Sequence, residues 1–293
     1  MKVAVTGAAG FIGRHVCGAL MQAGYEVTGL DVVRLRPGWL AYHEPVDITK
    51  PMPRIEGLDA VIHLAAIAAP RECDKDPGRA FDVNVNGTLQ VLRMALESGA
   101  KKFVFSSSAH VYDIPPRYFP TDETHPLRLN NTYTTTKILG EQLAQLFWEN
   151  HGLAYTTLRL FNAYGPGQQP GYFIPDMIAK AQKGPLVLQG GNTTKDFVYV
   201  ADVARAFALA VDTSFVGPIN VGTGVETQLF DIAEKIAKAA GTICPPADEG
   251  TYYTRMRADW TRASKVLGWK PAVNVEDGLA RVIDEAKVAA VRS

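Results

Sequence analysis

Ser108, Tyr133 and Lys137 are the residues whose types and spacing could do chemistry together. Tyr133 and Lys137 stand at i and i+4 in a stretch with helical periodicity, which puts both side chains on one face. A phenol of pKa about 10 is a poor base at neutral pH, and a lysine ammonium beside it favours the phenolate and lowers that value. Ser108 ends the run KFVFSSS, which reads as a strand, and its hydroxyl could bond a substrate hydroxyl or carbonyl while a proton moves. The trio would form a general acid–base site beside a hydride acceptor, and an oxidised nicotinamide, itself cationic, would favour the phenolate further. A Tyr and a Lys four apart are, alone, a common solvated helix face. The serine-ended strand upstream and the glycine pattern described next give the pair its meaning. Ser106 and Ser107 are expected to satisfy local backbone groups.

The elements that must position this site begin at the N-terminus, with MKVAVTGAAGFIG. Val3, Ala4 and Val5 suit a strand covered on both faces. Gly7, Gly10 and Gly13 follow at G-x-x-G-x-x-G spacing and open a helix. Gly7 would allow the tight turn, Gly10 would let backbone approach a phosphate, and Gly13 would let the helix pack close to the strand. The pyrophosphate of a dinucleotide would sit at the helix N-terminus, where unpaired N–H groups point outward. A glycine trio alone is a weak signal, but between a strand and a helix it is much stronger. Tyr25 to Leu30 suit a second strand that ends in Asp31, an acid about 20 residues past the glycines. Asp31 would accept from the adenosine ribose and repel a 2′-phosphate, so the cofactor is expected to be NAD rather than NADP, a preference that nearby Arg34 softens.

Further along, residues 32 to 57 look like connecting loops, with Val46-Asp47-Ile48 as a candidate short strand near the adenine. Asp47 could receive the adenine amino group or be a turn acid. DAVIHLAA at 59 to 66 reads as a buried parallel strand, and Ala65-Ala66 leaves space where a cofactor would cross the sheet edge. Residues 78 to 98 and 132 to 150 are helical, and 154 to 161 form a strand. Strands alternating with helices at this spacing imply βαβ units and a mainly parallel sheet. After Gly165 the rhythm weakens: a helix at 174–183, a strand at 185–189, a helix at 201–212, a strand at 218–221 and helices at 228–240 and 275–290. The fold is therefore expected to be α/β, a Rossmann-type doubly wound parallel sheet with a smaller C-terminal α/β substrate lobe.

Composition narrows the function. The chain has 293 residues, 47% apolar content and zero formal net charge, which suits an ordinary globular protein and argues against nucleic acid as a partner. Cys17, Cys73 and Cys244 are scattered without metal-type spacing, so reduced thiols in a cytoplasmic setting are expected, with no metal. There is no signal-peptide pattern and no apolar run of transmembrane length, so no membrane partner is expected.

The motifs recur in order in a known family. TGAAGFIG, Asp31, HLAA, NVNGT at 84–88, FSSSAHVY, YTTTK, LRLFNAYGPGQ, KDFVYVADVARA, INVGTG and SKVLGWKP resemble the extended short-chain dehydrogenases/reductases. Within them the chain is similar to the nucleoside-diphosphate-sugar epimerase and dehydratase group, nearest the UDP-glucose 4-epimerases. That resemblance implies a dinucleotide-binding domain over 1–165, joined by 196–222, and a substrate lobe from 166–195 and 223–293. It implies that Gly7, Gly10, Phe11, Ile12 and Gly13 line the pyrophosphate, that Asp47 and Ile48 flank the adenine, and that Leu64, Ala65 and Ala66 pass along the cofactor. Tyr133 and Lys137 would also touch the nicotinamide ribose. Asn162 would meet the sugar nucleotide near its phosphates, and Phe173, Val187 and Gln189 its base. Helices 80–98 and 132–150 would pair in a homodimer.

Departures from the family pattern carry information too. The dehydratases have T-D-E where this chain has Ser108, Ala109 and His110, and alanine cannot donate a proton. The carboxylate of a decarboxylase is likewise replaced by His110. Lys195 stands where the family supplies an arginine to the diphosphate; it brings charge without the bidentate fork, and Arg255 or Arg257 would share the task. His110 could contact the sugar, assist proton transfer, or be a polar side chain packed near the site. His63, Asp196, Asp202 and Trp269 read as structural. The leading expectation is NAD-dependent 4-epimerisation of a UDP-sugar through a transient 4-keto sugar. A reductase or dehydrogenase of a nucleotide-linked sugar is the alternative, and a non-enzymatic nucleotide-binding protein is a third reading.

Overall fold

A computed structural model describes residues 1–34, 45–188, 193–245 and 254–292, with side chains described to 288. The dinucleotide half begins β1 (Lys2–Thr6), α1 (Phe11–Gln22), β2 (Glu26–Leu30) and β3 (Ala60–His63). Two short helices follow, α2 (Pro70–Lys75) and α3 (Pro77–Phe81). A wider, π-type turn over Asp82–Asn86 then joins α3 to α4 (Gly87–Glu97). Next come β4 (Lys102–Ser108), α5 (Thr132–His151) and β5 (Ala154–Leu160). The remainder comprises β6 (Asn162–Tyr164), α6 (Phe173–Ala181), β7 (Thr194–Lys195), β8 (Phe197–Tyr199), α7 (Val200–Asp212) and β9 (Gly217–Val221). It closes with β10 (Thr227–Gln228), α8 (Leu229–Ala239), α9 (Thr261–Leu267) and α10 (Val275–Arg292).

Six strands form one parallel sheet in the order β2-β1-β3-β4-β5-β9. Alternation along each strand separates two cores. Val3 and Val5 of β1 and Val104 of β4 join the cluster beneath α1 and α7, which includes Val16, Leu20 and Phe207. Ala4, Phe103 and Phe105 face the other way, toward Leu92 of α4 and Ala144 and Phe147 of α5. Both faces are covered, which is why these strands carry near-continuous apolar runs. The strand order reverses between β1 and β3, so a crevice opens at the carboxyl edge there. A third cluster, with Ile174, Met177, Ile232, Ile236 and Leu279, is built from α6, α8 and α10.

Two expected strands differ. Val46-Asp47-Ile48 is not a strand: the Val46 N–H bonds the Asp31 carbonyl at 2.7 Å. Asp47 Oδ1 instead accepts from the Thr49 N–H at 2.9 Å, an Asx-type turn that competes with strand pairing. Residues 185–188 form no strand, although the Leu186 N–H reaches the Ile243 carbonyl at 2.9 Å. The two-stranded pairs β6/β8 and β7/β10 are too short to leave a periodic signal.

Candidate active site

The crevice is built first by glycines. Gly7 has φ +70°, and a Cβ there would lie 2.7 Å from the Ala65 nitrogen. A Cβ on Gly13 would fall 2.0 Å from the Gly7 carbonyl oxygen, so the helix can approach the turn only without a side chain. The N-cap of α1, Gly10, offers no side-chain cap, and the first turn holds no acid. Its N–H groups are therefore left for an external anion. The Asp31 carboxylate accepts from the Ala9 N–H at 3.0 Å and the Val33 N–H at 3.2 Å, which fixes it beside the glycine turn. A carboxylate has further lone pairs for a ribose hydroxyl. This cradle fits a dinucleotide diphosphate.

A cleft of about 740 Å³ runs from these glycines along the carboxyl edge of the sheet. Its walls include Gly7, Gly10, Phe11, Ile12, Gly13, Leu64 and Ala66 on the dinucleotide side, and Ser108, His110, Tyr133, Lys137, Asn162 and Phe173 further along. Ser108, Tyr133 and Lys137 are all buried. The Asn131 side chain caps α5 at the Thr134 N–H, 2.9 Å away, which sets the helix start one residue before Tyr133. Tyr133 and Ser108 both line the cleft, and Ser108 favours the Tyr133 phenolate. Lys137 Nζ lies 5.8 Å from the Tyr133 ring centre and donates to the Ser106 carbonyl at 2.8 Å.

The electrostatics correct one expectation. Burial pushes the Tyr133 hydroxyl up, and only Ser108 pulls it back. Burial also lowers Lys137 to about 8, so the ammonium is itself weakened and is turned toward Ser106. Burial thus opposes the phenolate, and a cationic nicotinamide would add its positive charge to that of Lys137. His110 is held down to about 4 by burial and by the Lys195 charge, and so stands neutral in the cleft at neutral pH. Its backbone N–H donates to Ser108 Oγ at 3.2 Å.

Behind the cleft runs a buried polar chain. Thr6 Oγ1 and His63 Nδ1 are 2.7 Å apart, and His63 Nε2 and Thr88 Oγ1 are 2.9 Å apart. Thr88 donates to the Asn84 carbonyl at 2.6 Å. Asn84, in the π-type turn, donates to Thr136 Oγ1 at 3.0 Å and exchanges bonds with the Ile67 backbone. The chain links the end of β1 to the helix carrying Tyr133. Asn84 was legible only as part of the NVNGT motif; the wide turn that aims it has no sequence marker. Ser107 also departs from expectation: its hydroxyl donates to the Glu141 side chain at 2.5 Å rather than to backbone.

The outer candidates are less gathered. Ala65 packs its backbone against Gly7, and buried Ile48 packs against Gly87. Asn162 Nδ2 donates to the Asp196 carbonyl at 3.2 Å. Lys195 contacts Met256 Sδ at 3.3 Å. Arg255 Nε donates to Glu226 at 2.7 Å and its guanidinium lies 4.4 Å from the Phe119 ring centre. Val187 is 79% exposed, and Gln189 lies outside the described residues.

Comparison with known proteins bears on this geometry. The family model for NAD dependent epimerases/dehydratases matches residues 3–222. UDP-glucose 4-epimerase of Mycolicibacterium smegmatis is 32% identical, over 97% of this chain and 98% of its own. UDP-glucuronic acid decarboxylase 1 of Arabidopsis thaliana is 28% identical, over 97% of this chain and 69% of its own. The crystal structure of Thermotoga maritima UDP-glucose 4-epimerase with UDP-glucose superposes with a TM-score of 0.86 at 28% identity, covering 99% of this chain and 100% of that one.

Proposed function

The chain belongs to the NAD-dependent epimerase/dehydratase family, and on that premise we propose that it is a 4-epimerase of a UDP-sugar of the UDP-glucose/UDP-galactose type. NAD is the cofactor, held by the glycine cradle and Asp31, with Tyr133 and Lys137 at its nicotinamide ribose. When bound, NAD would supply a reversible hydride acceptor at C4 of the sugar. Tyr133 removes the C4 hydroxyl proton and gives it back, while Ser108 holds the same oxygen by hydrogen bond. Lys137 supplies the positive charge that makes a phenolate tolerable in a buried site. Asn162, Phe173 and Lys195 belong to the sugar-nucleotide side, with Arg255 more remote.

The observation that carries this reading is that buried Ser108, Tyr133 and Lys137 line one cleft with the glycine cradle, and that Ala109 and His110 follow Ser108. Those two positions supply no carboxylate for loss of water or of CO₂, so one reversible oxidation at C4 is what the site can do. The reading places the substrate lobe at 166–195 and 223–293. Exposed Leu139, Leu146 and Trp148 on α5 suit pairing with a second copy. The free, buried cysteines suit the cytoplasm, and among the described residues no helix is long and apolar enough to cross a membrane.

The test begins with protein purified without added cofactor and then denatured. About one NAD(H) per subunit, identified by chromatography, is the expected release, since an epimerase recycles its cofactor. Conversion of UDP-glucose to UDP-galactose with nothing added completes it. A need for added NAD(P)H, with net oxidation or reduction of the sugar, would replace this reading by the reductase or dehydrogenase.

A further inference from the structure

A buried ion pair lies directly beneath the proposed chemistry. Glu141 follows Lys137 by one helical turn on α5 and pairs with Arg159 of β5. Both side chains are more than nine-tenths buried, at 8% and 5% exposure. The pair is forked: Arg159 Nε donates to Glu141 Oε1 at 3.0 Å, and its NH2 nitrogen donates to Oε2 at 2.7 Å. Ser107 of β4 adds its hydroxyl to Oε1 at 2.5 Å. One turn earlier, Lys137 donates to the Ser106 carbonyl on the same strand. Helix α5 is thus pinned to β4 at two consecutive residues, Ser106 and Ser107, and the next residue is Ser108.

A buried ion pair is weak evidence for stability, because desolvating two charges offsets their attraction. Its place here suits another task. The groups facing Lys137 are Tyr133 and Glu141 from α5, Cys73 from α2, His63 from β3 and Phe105 from β4. His63 is neutral, and burial holds the Cys73 thiol protonated. Glu141 is the carboxylate among these groups, and its forked partner Arg159 offsets its charge, so what the pair brings to Lys137 is chiefly geometry. We propose that Glu141, locked by Arg159 and Ser107, is a positioning residue that fixes α5 against β4 and so holds Lys137 and Tyr133 in register with Ser108. The inference rests on the acid–base reading of Tyr133 and Lys137.

The test uses two variants and two readouts. Glu141→Gln removes the charge but leaves Arg159 unpaired, so it is accompanied by a double variant, E141M with R159M. Replacing both buried partners with apolar side chains commonly preserves folding. The Lys137 midpoint is read directly, without sugar, by competitive acetylation across pH and peptide mass spectrometry. Turnover of UDP-glucose is read across the same range. In E141Q, which leaves the Arg159 cation uncompensated, the Lys137 midpoint is expected to fall by about one pH unit or more, and in the double variant, which removes both charges, it should move less. In both variants Lys137 should acetylate faster as its hold on the Ser106 carbonyl loosens, kcat should fall about tenfold or more, and KM should change little. A folded double variant with wild-type Lys137 reactivity and kcat within about twofold of wild type would overturn the proposal. If the wild-type chain turned over no UDP-sugar, the functional reading would fall, and the Lys137 acetylation rates would still decide the role of Glu141.

Discussion

Lys137 donates its Nζ proton to the carbonyl of Ser106, two residues before Ser108 along the same strand. The ammonium is therefore anchored to the strand that presents the serine, and its distance from the Tyr133 ring is set by β4 as much as by α5. The side chains proposed to act on one proton are held by one hydrogen-bonded corner of the fold.

Tyr133→Phe deletes the phenol hydroxyl, whose ionised form Ser108 favours. Loss of a general acid–base group is expected to lower kcat for UDP-sugar conversion by about 10²–10⁴-fold. Because phenylalanine fills the same buried space, the thermal midpoint and the amount of co-purified NAD should stay near wild type. Turnover within tenfold of wild type would remove Tyr133 from the chemistry.

Two glycines of α1 should respond in opposite ways to alanine. A Cβ on Gly13 meets the Gly7 carbonyl oxygen at 2.0 Å, whereas one on Gly18 meets nothing within 4 Å. Gly13→Ala is expected to destabilise by more than about 2 kcal/mol and to release NAD. Gly18→Ala, in open helix, should stabilise by up to about 1 kcal/mol. Urea unfolding of both variants makes the comparison.

Acid should weaken the fold through His63. Burial lowers its value from 6.5 to about 3, so the unfolded chain binds a proton that the native chain refuses. Its contribution is fully present above 6.5 and is lost as pH falls toward 3. The slope for one such group is about 1.4 kcal/mol per pH unit. Urea unfolding free energies at a series of pH values between these limits should carry this decline, offset in part by the buried Glu123 and Asp196 carboxyls that burial raises, and a profile that His63→Asn leaves unchanged would contradict a neutral, buried His63.

Leu146→Glu puts a charge on the exposed apolar face of α5. If that face pairs two copies, sedimentation should show a dimer for the wild-type chain and a monomer for the variant. Turnover per chain should change far less than in Tyr133→Phe.

The sequence conveyed most where local chemistry and periodicity coincide. β4 matches its expected span residue for residue, because FVF alternates between two cores and the serines follow at the sheet edge. The glycines were readable because the strand, turn and helix they join follow one another along the chain, although Gly7 also meets the distant Ala65 backbone. What escaped reading depends on distant partners. Ser107 looked like a backbone-satisfying serine because Glu141 is 34 positions away, and Glu141 was not singled out because Arg159 is 18 further on. Asp47 shows the reverse case: a local turn with Thr49 overrode a strand that the apolar flanks suggested. The direction of the Tyr133 shift was missed because burial, unlike spacing, is a property of the assembled fold.

The loop after β6 is held from two sides. His15 of α1 lies 3.1 Å from the Pro166 carbonyl, and the Gly167 N–H reaches Glu285 of α10 at 3.3 Å. Gln168 to Tyr172 then form part of the cleft wall, as Gly10 does. The first helix and the last thus both hold the loop that runs into this wall. A cofactor seated in the cleft would lie against a wall braced from both ends of the chain. The two electrons removed from a sugar would then stay on the premises until they are handed back, and the catalyst would run as a closed circuit that draws on no outside pool of reducing power.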